Sequence, residues 1–296
     1  MLHDTTLLLD MSISRWYARK FDKAETRKLN DAHGTNNAAR VTKDVFDGNC
    51  LSYKKLDSFM NSLNVKNAEF SLPWSRGVRI LPVSMLAEHQ KFIEESRATM
   101  AELLDNFCAD YYVAREHART VLNGMWKESD YSNVSDLRER FRISVSYLPV
   151  PSAFTSKIDI ATKAMLDKQL ENDNNSAINV AMSDAWQRLY TVVQHFQTRL
   201  ATPGAIFRDS LITNVRECCD VLKVFNVAGD TQLEDLRLAA ETALASYDPA
   251  TLRDNAKLRS DVAQTADGML ATIRTIRKIA FVPATKPTEL GESANA

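Results

Sequence analysis

Between Arg15 and Lys28 the sequence packs Arg15, Arg19, Lys20, Lys23, Arg27 and Lys28 around Trp16, Tyr17 and Phe21. Cations neutralise phosphates and exposed aromatic faces stack on bases, which is the chemistry of sequence-tolerant single-strand binding. The same residues admit a plainer reading. Tyr17 and Phe21 stand four apart, so on a helix they would pack inward with Trp16 and leave the cations in solvent. Elsewhere, chemistry-bearing patterns are missing. The sequence has no GxxxxGK[ST] phosphate loop, GxGxxG turn, HExxH pair or GxSxG elbow, and its eight glycines do not cluster. A backbone cradle for phosphate needs neighbouring glycines, so nucleotide binding is not expected.

The histidines His3, His33, His89, His117 and His195 are scattered, and none has the Glu-x-x-His spacing of carboxylate-bridged metal bundles. His89 falls on an apolar seam, the position of a satisfied core histidine rather than a ligand. Glu94, Glu95, Glu102 and Asp105 read as a solvated helix face. The four cysteines, Cys50, Cys108, Cys218 and Cys219, show no CxxC spacing and read as small hydrophobes of a reducing compartment. No catalytic residue, metal ligand or cofactor site is assigned. A second basic set, Arg274, Arg277 and Lys278, ends the last predicted helix, where cations complement the helix dipole.

The elements that would position these residues are legible in the periodicity. Ser84 to Asn123 lacks Gly and Pro, and returns small or apolar side chains at Leu86, His89, Ile93, Ser96, Met100, Leu103, Phe107, Tyr111, Ala114, Ala118 and Val121. That three-and-four spacing predicts one long helix over 84–123, a coiled-coil-like rod of roughly 60 Å at about 1.5 Å per residue. Period-two alternation predicts strands at Leu7 to Ser14, Val78 to Ile80, Phe141 to Tyr147 and Ile158 to Ile160. A short helix is expected over Ser52 to Leu63, and a loop over Asp31 to Asn37 with Gly34.

Beyond Pro149 and Pro151 nearly everything reads helical. Ala161 to Ala201 forms one stripe through Met182, Trp186, Leu189, Val193, Phe196 and Leu200, with Asp173 to Ser176 a candidate break. Thr202, Pro203 and Gly204 make a turn. Helices then run from Phe207 to Phe225 and from Thr231 to Ser246. A last one is capped by Asp248 before Pro249 and carries a weak point at Gly268. The expected fold is mainly α, of the α+β kind: a small sheet braced by a long helix in 1–151, an extended helical bundle in 152–282, and a disordered tail over 283–296.

With 37 basic and 38 acidic side chains, no overall field draws the chain to nucleic acid or to an anionic membrane. The first ten residues, with Asp4 and Asp10 around a short leucine run, are too acidic for a signal peptide or membrane span, so a cytoplasmic location is expected.

Several short motifs resemble one family. They are Ser12-Ile13-Ser14-Arg15-Trp16, Lys54-Lys55-Leu56, Leu72-Pro73-Trp74, Gly77-Val78-Arg79-Ile80-Leu81-Pro82, Asp130-Tyr131 and the run Phe141 to Pro151. In this order, over about residues 5 to 160, they are similar to uncharacterised tailed-phage proteins often encoded beside a MoxR-like AAA+ ATPase and a von Willebrand factor A protein. The family pattern has Pro where this chain has Ser132, and the helical half beyond Pro151 lies outside the likeness. The resemblance implies a shared assembly in the host cytoplasm during infection and supplies no catalytic residue. The expected function is a non-enzymatic accessory protein, an adaptor or assembly partner of the ATPase. The alternatives are nucleic-acid binding through 15–28, or a structural phage protein that forms homo-oligomers through its seams. Leu72-Pro73-Trp74 reads as a junction into the strand at Val78, or, if Trp74 is exposed, as a partner anchor.

Overall fold

The computed structural model describes residues 2–46, 48–153, 158–202 and 208–277. Its fold is mainly helical α+β, as the periodicity predicts. In chain order the first elements are α1 (Leu2–Thr5), β1 (Thr6–Ser14), β2 (Arg19–Phe21), α2 (Lys23–Ala32), β3 (Thr42–Asp44), α3 (Leu51–Glu69), β4 (Leu72–Ser75) and β5 (Val78–Pro82). Next come α4 (Leu86–Leu122), α5 (Val134–Arg140) and β6 (Arg142–Pro149). The chain continues through α6 (Ile160–Ala201), α7 (Ser210–Phe225), α8 (Thr231–Ala243), α9 (Pro249–Asp254) and α10 (Ala256–Arg277).

The chain divides into two compact units, Met1–Ala181 and Met182–Ala296. The division falls inside α6 rather than at Pro151. The first half of α6 is tied to the first unit: Asn174 donates its amide to the Pro151 carbonyl at 2.9 Å, and Ala177 and Ala181 are buried.

In the first unit the strands order β4-β5-β1-β6, antiparallel throughout, with Leu9 opposite Arg79 on one side and Tyr147 on the other. Three predicted strands are present. The fourth is not at Ile158 to Ile160, because Ile160 opens α6. It is β4, which the prolyl signal of Leu72-Pro73-Trp74 disguised; an edge strand tolerates a residue without an N–H.

Under β1 and β6 lies a core of Leu56, Met60 and Leu63 from α3 and Ile93, Leu104, Phe107 and Tyr111 from α4. Each such side chain, fully buried, contributes about 1.5–3 kcal/mol. Trp16 joins them, its ring 5.7 Å from Phe46 and 6.3 Å from Phe107. α4 follows the predicted seam from His89 through Ala118, after which Val121 is exposed, and Asn123 ends the helix with a positive φ of 43° and ψ of −116°.

In the second unit, Trp186, Leu189, Val193 and Phe196 of α6, with Leu211, Val215, Leu222 and Phe225 of α7, are buried. Trp186 donates its indole N–H to Asp230 Oδ2 at 2.9 Å, while Asp230 Oδ1 accepts from Gln232 and Leu233 and caps α8. Arg237, also buried, is held between Glu234 and Glu241.

Two helical expectations change. Asp173 to Ser176 does not interrupt α6; Ser176 returns its hydroxyl to the Asn172 carbonyl one turn back, so the polar run stays helical on an exposed face. The last predicted helix breaks at Asn255 rather than Gly268. Asn255 leaves the helical conformation at φ −115° and ψ 95°, and its side chain accepts from Leu258 N to start α10. Asp248 caps α9 through Thr251 N at 3.0 Å, as its position before Pro249 predicts. Pro203, Gly204, Phe207, Lys278 and the 283–296 tail lie outside the described residues.

Candidate functional site

The basic cluster is not a helix in its first half. Arg15 to Ala18 is irregular, Arg19 to Phe21 forms β2 paired with β3, and α2 begins at Lys23. This separates the aromatics against the helical reading. Trp16 is 2% exposed, whereas Tyr17 is 56% and Phe21 45% exposed. Arg15 stacks over Tyr17 at 4.7 Å and Arg40 over Phe21 at 4.6 Å.

Half of these six cations have acidic partners. Arg15 meets Asp57 at 3.1 Å, Arg19 meets Asp44 at 3.0 Å, and Lys28 meets Glu25 at 2.8 Å. Lys20 lies 5.1 Å from the Trp16 ring centre; burial, then the neighbouring Arg140 charge, hold its pKa below the usual lysine value. Lys23 and Arg27 are exposed on α2. Charge paired in this way weakens a phosphate footprint, because a ligand would have to displace carboxylates.

Within the same region lies an ion network that spacing alone does not disclose. Buried Lys43 of β3 donates to the Met125 carbonyl and pairs with Asp22 at 3.3 Å and Asp130 at 2.7 Å. Lys127 also reaches both Asp22 oxygens at 3.2 Å. Asp22 caps α2 by accepting from Ala24 N and Glu25 N. That backbone bond, then the two lysines, hold its carboxyl far below the ordinary range despite its burial. The sequence signal was Asp22-x-x-Glu25, a capping pattern, but no local pattern could supply Lys43 or Asp130. The network pins the β2–β3 ribbon to the segment after α4, where the Tyr131 hydroxyl donates to the Val45 carbonyl at 2.6 Å.

His89 is the satisfied core histidine its seam position predicts. Nε2 lies 2.7 Å from Asn67 Oδ1, and Nδ1 lies 2.8 Å from the Tyr147 hydroxyl. An amide oxygen only accepts, so Nε2 carries the proton and Nδ1 accepts from Tyr147. Burial lowers the His89 pKa to about 4.

All four cysteines are free, and burial pushes Cys218 up to about 12 and Cys219 to about 11, values that suppress nucleophilic thiolate. Among the described residues no group of three or more His, Cys, Asp or Glu could hold a metal ion, and no helix is long and apolar enough to cross a membrane.

Trp74 is 8% exposed, so it is not a free-standing anchor. It instead forms wall for clefts on either side of the β4–β5 turn, of about 520 and 570 Å³. A separate groove of about 350 Å³ lies where the start of α3 meets the second half of α4, lined by Phe46, Cys50, Leu51, Val113, Ala114 and His117. Leu51 is 68% and Val113 76% exposed at its rim. Sequence reasoning missed it because neither residue belongs to a regular seam.

No family model, curated protein or solved structure matches this chain.

Proposed function

We propose that this chain is a non-enzymatic phage accessory protein that works as an adaptor or assembly partner of an AAA+ ATPase, with a von Willebrand factor A protein as a further member of the assembly. The observation that carries a docking role is the apolar groove rimmed by Leu51 and Val113, large hydrophobics standing in solvent beside a buried aromatic core. The engagement of the buried ionisable groups in internal pairs supports a scaffold reading. The motif resemblance over residues 5 to 160 supports the choice of partner.

Mixing purified protein with the MoxR-like ATPase tests this. A complex whose hydrolysis rate differs at least twofold from that of the ATPase alone is expected, with Leu51→Glu and Val113→Glu abolishing it. A mixture with neither binding nor a rate change refutes the reading.

Exposed Tyr17 and Phe21 with Lys23 and Arg27 favour nucleic-acid binding as a second reading. Its signature is steep salt dependence on single-stranded oligonucleotides, lost in Arg19→Ala with Lys20→Ala. Salt-independent or undetectable binding removes it.

A further inference from the structure

The β4–β5 connection is a two-residue hairpin loop: Ser75 pairs with Val78, and Arg76 and Gly77 both have left-handed backbones, φ 37° and 89°. This is the type I′ pattern, whose first position is normally Asn, Asp or Gly because a longer side chain is strained there. Arg76 is therefore poorly suited to the turn it occupies. Strain of this kind persists where the side chain serves something other than the fold.

The surroundings say what that is. Arg76 is exposed, and among the described residues no ion pair engages it. The cleft of about 570 Å³ beside it is lined by Arg76, Arg79, Asn64 and Asn67, with Met11, Trp74 and Val78 as apolar wall, and none of its described lining residues is acidic. Arg79 is fixed in direction, its Nε donating to Ser71 Oγ and a terminal nitrogen to the Ser71 carbonyl, both at 2.7 Å.

We propose that this cleft binds an acidic segment of a protein partner. A Glu or Asp carboxylate pairs with Arg76 at the turn, and a flanking apolar side chain packs against Trp74 and Met11. Charge complementarity selects an acid, since both charged lining groups are guanidiniums, which take carboxylates in bidentate fashion. The apolar wall beside them selects a peptide over a bare phosphate chain. The inference rests on the docking role proposed above and names the chemistry of one contact.

The test uses the full chain, a fluorescein-labelled peptide of alternating Glu and Leu, and its Lys–Leu counterpart, followed by fluorescence anisotropy at low salt. Wild type binds the acidic peptide at least tenfold more tightly than the basic one. Arg76→Asn restores the preferred turn residue, so melting temperature rises by about 1–3 °C while affinity falls at least tenfold. Lys91→Ala, which removes an exposed cation on α4, leaves affinity within twofold.

Equal binding of both peptides, absence of binding, equal losses in Lys91→Ala and Arg76→Asn, or displacement of the peptide by oligo-dT overturns the proposal. So does Arg76→Asn binding like wild type, or melting lower than wild type. Because no ATPase is present, failure here leaves the ATPase-partner reading standing, and failure with the ATPase leaves this one standing.

Discussion

His89 is enclosed by Asn67, Tyr147, Phe70 and Phe92, with no carboxylate among these neighbours, so protonating it places a cation in an apolar site. Holding its pKa at about 4 against 6.5 in the unfolded chain corresponds to about 3 kcal/mol, at about 1.4 kcal/mol per tenfold change. The sign follows from proton uptake. Below pH 6.5 the unfolded chain binds a proton that the folded chain refuses, so stability is full above that pH and falls until the folded pKa near 4 is reached.

Between pH 7.5 and 4.5 the loss from this residue alone is about 2.5 kcal/mol. His89→Phe removes the titration but strands the buried Asn67 amide oxygen, costing about 1–3 kcal/mol at pH 7.5. Wild type is therefore the more stable protein at neutral pH, and the gap shrinks or inverts by pH 4.5. Urea unfolding in a Trp186→Phe background, where every remaining tryptophan lies in the first unit, measures both curves. Asp22, whose carboxyl pKa is depressed, adds pH dependence only in a lower range: its stabilising share is fully present above about 4 and is lost as pH falls further. Parallel curves for wild type and variant, or an imidazole that NMR finds titrating near 6.5, refute the reasoning.

Three other outcomes are expected. Lys43→Met takes the shared cation away from buried Asp22 and half-buried Asp130, so urea unfolding should show a loss of about 3–5 kcal/mol, and a loss below about 1 kcal/mol contradicts the network. Asp230→Ala removes both the α8 cap and the Trp186 partner and should cost about 2–3 kcal/mol, whereas Asp230→Ser, keeping a cap, should cost about half as much. At pH 8 Cys218 and Cys219 should react with Ellman's reagent at least tenfold more slowly in the folded protein than in urea, because both hold their protons well above that pH; equal rates contradict it.

Much of the architecture was legible because periodicity is local. The α4 seam, the β1 alternation and the Asp248-Pro249 cap each depend on residues within a few turns of one another. What failed depended on tertiary competition. Tyr17 and Phe21 have helical spacing, yet the β2–β3 ribbon claims Arg19 to Phe21 and leaves both rings in solvent. Pro73 looks like a strand terminator but sits on an edge, where the missing N–H costs no ladder bond. Ile158 and Ile160 alternate like a strand, but two residues cannot distinguish alternation from a helix start.

The site was less legible still. Lys43 and Asp130 are far apart in sequence, and the Leu51–Val113 groove joins two helices whose own patterns give no hint of it. The Arg76-Gly77 turn carried a readable signal, a long cation where Asn is preferred, but its meaning depended on the cleft beside it.

The most direct measurement is affinity purification of the tagged full chain from phage-infected cells, with and without nuclease, followed by mass spectrometry. The account predicts nuclease-resistant recovery of an AAA+ ATPase in comparable molar amount, lost when Leu51→Glu and Val113→Glu disrupt the groove. Recovery that collapses with nuclease, or an ATPase recovered equally well by the groove variants, would contradict it.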